Sequence, residues 1–285
     1  MRILILGHKG MLGSDLMLRL GTSHELIGKD VDDFDITSEE DCGKVVEACF
    51  PEVVINAAAY TNVDGCETNR EKCMAVNALG VKNVALACRG RKITLVHFST
   101  DYVFDGSKGT PYAEDDPPAP LNVYGASKLE GERFLQAFSE RWLLIRTAWL
   151  YGRNGNSFVK TILEKVETVK SLEVVDDQIG SPTWTWDLAA AVGLLIEGEN
   201  TGVFHLTCRG RCSWFEFACK ILQYAGKKDV VVNPIRSDRL SRPATRPAWS
   251  VLSTRKFSEA TGKTMKFWQI ALQEYLERIG YPKQG

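Results

Sequence analysis

The chain has 285 residues, 44% of them hydrophobic and 25% charged, and its 35 lysines and arginines nearly balance 36 acids, for a formal net charge of -1. That balance excludes a protein-wide field able to gather nucleic acid or an anionic membrane, and no window approaches the roughly 18 apolar residues that cross a bilayer. The length suits one large domain, or a large domain with a small companion. The opening Met-Arg-Ile-Leu-Ile-Leu-Gly reaches a glycine too early for a secretory signal core. The eight cysteines lack a Cys-x-x-Cys pair and read as reduced thiols of a cytoplasmic protein. Cys208, Cys212 and Cys219 have no matching second pair, so no zinc or other metal site is read from them.

Residues 2–6 (Arg-Ile-Leu-Ile-Leu) read as a strand buried on both faces, followed by Gly7-His8-Lys9-Gly10-Met11-Leu12-Gly13 and an amphipathic stretch from Ser14 to Leu20. Strand, glycine turn and helix stand in the order a dinucleotide site needs. Gly7 and Gly10 let the backbone approach a pyrophosphate, Gly13 lets the helix pack on the strand, and the helix N-terminus offers free N–H groups. The next strand, His24 to Gly28, leads to Asp30, placed roughly 20 positions beyond the glycines, where a carboxylate binds the adenosine ribose and repels a 2′-phosphate. Asp30 favours NADH, while Lys9 and Lys29 beside it keep NADPH open. Asp33-Phe34-Asp35-Ile36-Thr37 reads as a strand end and helix cap at which Asp35 and Ile36 border the adenine.

Strands and helices continue to alternate: Val53–Asn56, a helix over most of Asn69–Cys88, Ile93–Ser99, a helix over Ser127–Phe138, and Trp142–Arg146. This pattern predicts an α/β fold, a Rossmann-type doubly wound parallel sheet, with its active site beyond the carboxyl ends of the strands. The small side chains of Ala57, Ala58 and Ala59, before Tyr60 and Thr61, let a cofactor lie against the backbone at one strand end. Ser99-Thr100-Asp101-Tyr102 follows another. Residues 1–150 are predicted to form the NAD(P)-binding domain and residues 151–285 mainly a smaller, interleaved substrate-binding cap. Leu172–Val175 and a helix beginning near Asp187 are expected to return to the main sheet, a return placed near residues 171–200.

Tyr124-Gly125-Ala126-Ser127-Lys128 carries the sharpest chemical signal. A tyrosine and lysine four apart at a helix start share a face, with Cβ atoms about 5–6 Å apart. A phenol titrates near 10; a nearby ammonium favours the phenolate and is expected to lower that value, while its other donors hold the nicotinamide ribose. With a hydrogen bond from Thr100, the set describes a carbonyl reducer in which NADH or NADPH delivers hydride to carbon and Tyr124 a proton to oxygen.

These motifs resemble the dTDP-4-dehydrorhamnose reductase family of the extended short-chain dehydrogenase/reductase superfamily. The resemblance rests on Gly7–Gly13, Val54–Asp64, Phe98–Phe104 (Phe-Ser-Thr-Asp-Tyr-Val-Phe), Pro120–Lys128 (Pro-Leu-Asn-Val-Tyr-Gly-Ala-Ser-Lys), Arg146–Tyr151, Asp177–Thr183 and Arg246–Leu252. It implies reduction of the 4-keto group of a dTDP-linked sugar, dTDP-4-dehydro-6-deoxy-L-mannose, to dTDP-L-rhamnose. Tyr124 matches the proton donor, Lys128 its partner and Thr100 a third catalytic group. Gly10, Met11, Leu12, Asp30, Asp35, Ile36, Ala59, Tyr60 and Thr61 match cofactor contacts; Thr100, Asp101 and Trp149 match sugar-nucleotide contacts, and Tyr102 tunes the site. Some members are dimers with a magnesium ion held by interface glutamates. Here Asp15, one methylene shorter, stands at the first-helix position, so a homodimer is left open and the magnesium ion is not carried over.

Two other readings stand beside this one: a nucleotide-sugar epimerase or dehydratase of the same superfamily, which would retain and recycle its cofactor, and a non-catalytic regulatory subunit like the β subunit of methionine adenosyltransferase, which resembles this family. Trp184 and Trp186 read as packing residues and His97 as a satisfied core histidine. Arg242 and Arg246 are candidates either for clamping a pyrophosphate or for pairing with acids.

Overall fold

The computed structural model describes residues 1–281. Five segments enter the main sheet in turn: β1 (Arg2–Leu6), β2 (Glu25–Lys29), β3 (Val53–Asn56), β4 (Thr94–Thr100) and β5 (Arg141–Thr147); Gly202–His205 joins them later. All pair in parallel, in the order Gly202–His205, β5, β4, β3, β1, β2. The chain runs outward from β1 to β2, then crosses back over β1 to β3. The carboxyl ends of β1 and β3 therefore flank the point where strand order reverses, the place where such sheets bind ligands.

The aliphatic runs of the central strands are buried on both faces because helices cover both. Ile3, Ile5, Val53, Ile55 and Val96 face α1 (Met11–Leu20) and the helix Thr185–Glu197. Leu4, Leu6, Val54, Leu95 and Leu144 point the other way, as the two-residue period of a strand requires. They pack with α2 (Glu39–Cys49), the helix Gly80–Cys88 and Leu135 of the helix Val123–Phe138. A separate cluster joins Tyr151, Ile162, Trp184, Phe217, Trp268 and Leu272 around the helices Phe158–Lys165, Trp214–Tyr224 and Trp268–Arg278. The described residues contain no helix long and apolar enough to cross a membrane.

The structure corrects two of the predicted elements. Ser171–Val175, containing the predicted Leu172–Val175, pairs with Val231–Ile235 instead of the main sheet. Its burial alternates at first, as suits a ribbon with one covered face rather than a central strand. The predicted helix across Asn69–Cys88 is interrupted by a π-helical turn at Ala75–Leu79, between Arg70–Met74 and Gly80–Cys88. Asn77 in that turn reaches across to the end of β3, a contact that local periodicity does not encode.

Candidate active site

The glycine turn is tight for steric reasons. Gly7 has φ +79°, and a Cβ there would lie 2.8 Å from the Ala58 nitrogen, so the turns after β1 and β3 touch backbone to backbone. A Cβ on Gly13 would fall 2.0 Å from the Gly7 carbonyl oxygen, which ties α1 directly onto the turn. Gly10 caps α1 and donates its N–H to the Gly7 carbonyl at 3.1 Å. The first-turn amides of Met11, Leu12 and Gly13 then lack intrahelical acceptors and present the positive end of the helix to an anion. The Leu12 side chain belongs to the core and Met11 lies beside Gly152 and Gly155, so both offer the site backbone rather than side-chain recognition.

A cleft of about 760 Å³ opens beside this turn, lined by Gly7, Gly10, Asp30, Asp35, Ile36 and Ala57 through Tyr60. Thr61 is exposed beyond it. Both Asp30 oxygens accept backbone hydrogen bonds, from Lys9 and Val31 at 2.8 Å each, so this carboxylate joins the glycine turn to the end of β2. Lys9 pairs with Asp32 at 2.6 Å and Lys29 with Asp33 at 3.8 Å. Asp35 accepts from the Thr37 amide and hydroxyl, both at 2.8 Å, and these bonds hold its carboxyl below the usual range. Ile36 is buried, and its carbonyl accepts from Asn83 at 3.1 Å.

Hydrogen bonds link the cleft to the second half of the site. The Tyr60 N–H donates to Asn77 Oδ1 at 2.8 Å, Asn77 Nδ2 donates back to the Tyr60 carbonyl and to Ser127 Oγ at 3.0 Å each, and Ser127 donates to the Tyr124 carbonyl at 2.7 Å. Asn122 caps the helix through a 2.8 Å bond from the Gly125 N–H, starting it at Val123, ahead of the predicted Ser127. A Cβ on Gly125 would stand 2.2 Å from the Tyr102 carbonyl, so a glycine after the tyrosine lets the helix meet the turn following β4.

Thr100, Asp101, Tyr102, Tyr124 and Lys128 gather here. The Thr100 hydroxyl donates to Asp101 Oδ1 at 3.0 Å, while Asp101 Oδ2 is buried without a hydrogen-bond partner among the described residues. Burial pushes the Asp101 carboxyl up to about 7. The Tyr102 and Tyr124 rings meet edge to face at 6.0 Å. The expected lowering of the Tyr124 phenol by Lys128 is not what the structure shows: burial first, and then the Asp101 charge, hold the phenol above its ordinary value. The Lys128 ammonium turns toward the sheet, 3.3 Å from His97 Nε2, and burial lowers it to about 8, with Glu132 and Cys73 acting in the opposite direction.

Trp149 follows β5, the neighbour of β4. It is a non-glycine residue at φ +49°, a conformation that costs free energy and recurs at functional sites. Its ring stacks on Trp214 with centroids 3.4 Å apart and planes 6° apart. A Cβ on Gly180 would lie 2.4 Å from Trp149 Cε2. Trp184 is buried in the separate aromatic cluster, and Trp186 packs against Arg278, whose guanidinium lies 3.7 Å from the ring centroid. Arg246 is spent on Asp64 in a bidentate pair at 2.7 Å for both contacts, whereas Arg242 has no ion pair among the described residues. Asn77 and Trp214 escaped sequence reasoning, and Gly125 and Gly180 entered it only as members of quoted segments, without a role of their own.

The Asp15 carboxylate is engaged within its own chain: it accepts from Thr185, with the charges of Arg278 and Arg153 nearby. The glycine cradle, by contrast, fits a dinucleotide, because its closest approaches are ones that any Cβ would fill.

The family model for the RmlD substrate binding domain matches residues 1–280. The chain is 37% identical, over 96% of both sequences, to a dTDP-4-keto-6-deoxy-D-glucose reductase of Streptomyces niveus. Its structure is similar to that of a dTDP-4-dehydrorhamnose reductase of Clostridium acetobutylicum ATCC 824, with TM-score 0.94 and 43% identity over 98% of this chain and 99% of that one. A dTDP-4-dehydrorhamnose reductase of Bacillus anthracis strain Ames, solved in complex with NADP, also has TM-score 0.94, with 37% identity over 97% of this chain and 99% of that one.

Proposed function

Because the chain belongs to the family of the RmlD substrate binding domain, we propose that it reduces the 4-keto group of dTDP-4-dehydrorhamnose to give dTDP-L-rhamnose, with a nicotinamide cofactor as reductant. The observation that carries this reading is the hydrogen-bonded connection from Tyr60, on the wall of the dinucleotide cleft, through Asn77 and Ser127 to Tyr124. That chain registers the reducing cofactor against the proton donor. Residues 1–150, joined by the helix Thr185–Glu197 and the strand Gly202–His205, form the cofactor-binding domain in this proposal, and the rest of 151–285 mainly the sugar-nucleotide cap.

When bound, the cofactor supplies hydride to the carbonyl carbon. Tyr124 supplies the proton to the carbonyl oxygen, and its raised phenol suits the task, because a neutral phenol still carries the proton to be delivered. Thr100, on turning its single hydroxyl proton from Asp101 toward that oxygen, donates a second hydrogen bond there and stabilises the charge that develops. Lys128, mostly ammonium at neutral pH with a value of about 8, holds the cofactor ribose. Asp101, Tyr102 and Trp149 shape the sugar site. The glycine turn accepts the pyrophosphate; the Asp30 carboxylate favours NADH, and the neighbouring charges of Lys9 and Lys29 keep NADPH open.

Supplying the keto sugar with either cofactor should consume the reduced form, read as loss of its absorbance. Tyr124→Phe should lower turnover at least about a hundredfold, the scale of general acid catalysis, while cofactor affinity changes little. An active phenylalanine variant would sink the assignment, and a wild-type protein that retains bound cofactor without consuming any would favour an epimerase or dehydratase.

A further inference from the structure

His97 lies in β4 between Val96 and Phe98 and is fully buried. It is nevertheless more than a core residue, because its Nε2 stands 3.3 Å from Lys128 Nζ. The other groups facing that ammonium are committed elsewhere. Glu132, one turn along the same helix, receives Arg146 Nε at 3.0 Å and Nη2 at 2.7 Å. Cys73, from the helix Arg70–Met74, contacts Cys66 Sγ at 2.9 Å and Ser127 Oγ at 3.1 Å. Tyr124, four residues before Lys128, meets the Tyr102 ring edge to face.

We propose that His97 is a positioning residue for the reaction: its Nε2 accepts a hydrogen bond from the Lys128 ammonium, anchoring one of the three N–H donors on the sheet and leaving two for the cofactor ribose. The inference rests on the role assigned to Lys128 under the proposed function. A lysine side chain has considerable rotamer freedom to lose, and a fixed acceptor behind it removes much of that freedom before any ligand arrives. The tautomer follows from the surroundings. Burial, and then the Lys128 charge, hold the imidazole neutral, and the Asn56 backbone lies beside the ring across the β3–β4 register. Nδ1 meets no hydrogen-bond acceptor among the described residues, but the Lys128 ammonium has only donors to offer, so the Nε2 that faces it is bare and the proton belongs on Nδ1. Asn56 also accepts the Ala58 N–H at 3.1 Å, so the residue beside His97 orders the cofactor loop.

The test compares His97→Asn, whose amide is too short to reach Lys128, with His97→Gln, whose amide reaches the Nε2 position. The asparagine variant should lower kcat roughly tenfold, the size of one lost hydrogen bond to a charged group, with KM for the keto sugar within about twofold of the original. Its alkaline kcat limb should move to lower pH, because an ammonium without its acceptor loses its proton more readily. Glutamine should restore most of both. An asparagine variant with the wild-type limb, or a glutamine variant equally impaired, overturns the proposal. In the wild-type protein, nitrogen-resolved NMR should place the imidazole proton on Nδ1, and a proton on Nε2 overturns the proposal without any variant. Lys128→Met, assayed in parallel, separates the two readings: retained activity there refutes the role of Lys128, whereas an inactive methionine variant beside an unperturbed asparagine variant refutes only that of His97.

Discussion

Tyr124 and Asp101 illustrate how neighbours assign ionisation states. Each is raised mainly by burial, and the Asp101 charge adds to the effect on Tyr124, so both keep protons that isolated side chains would lose more readily. For Asp101 this has a measurable consequence. Its folded-state value of about 7 exceeds the ordinary 3.8, so across that interval the folded chain holds a proton that the unfolded chain has released. The stability associated with Asp101 is present in full below the lower value and is lost as pH rises through the upper one. Unfolding midpoints in denaturant should therefore fall from about pH 4 to about pH 7 more steeply in the wild type than in Asp101→Asn. Parallel curves would show that the carboxyl ionises as freely in the fold as outside it.

At the scale of elements, positions are set by pieces of chain that touch through glycine. Gly13 brings α1 onto the turn after β1, and Gly125 brings the helix Val123–Phe138 onto the turn after β4. Gly180 acts between a two-residue strand, Ile179–Gly180, and the Trp149 indole. That strand pairs with Cys212–Ser213, immediately before Trp214, so one small ribbon carries both the glycine and the stacking ring that hold Trp149. Gly180→Ala would place a methyl 2.4 Å from the indole and must displace it. Overpacking costs about 1–3 kcal/mol, so KM for the sugar nucleotide should rise roughly tenfold or more while the cofactor dissociation constant stays within about twofold. Steady-state kinetics beside a cofactor titration distinguishes this from general damage, and an unchanged KM would remove Trp149 from the sugar site.

At the scale of the whole molecule, the Asp64–Arg246 pair ties the helix Val63–Thr68 to a segment far along the chain, and the Ala244 N–H adds a 3.2 Å bond to the same carboxylate. Asp64 is partly exposed, so solvent screening limits the pair's worth to about 1 kcal/mol. A double-mutant cycle with Arg246→Ala and Asp64→Ala should recover a coupling of that order, shrinking at high salt. No measurable coupling would mean that the segment's other contacts, among them the Asn122 bond to the Thr245 carbonyl, seat it without this pair.

The order of strands and helices, the glycine turn, and the placement of Tyr124 and Lys128 on one helix were determined by the sequence itself, because each depends on neighbours a few positions away: the period of two in a strand, the spacing of four on a helix, a turn that admits no Cβ. Leu172–Val175 was misplaced because a short strand declares its conformation but not its partner. The partnership of Lys128 with His97, the protonated Tyr124, the Asn77 bridge and the Trp149–Trp214 stack were decided only by the tertiary structure. Desolvation, charge proximity and ring stacking are properties of groups brought together from distant parts of the chain, and no local pattern carries them.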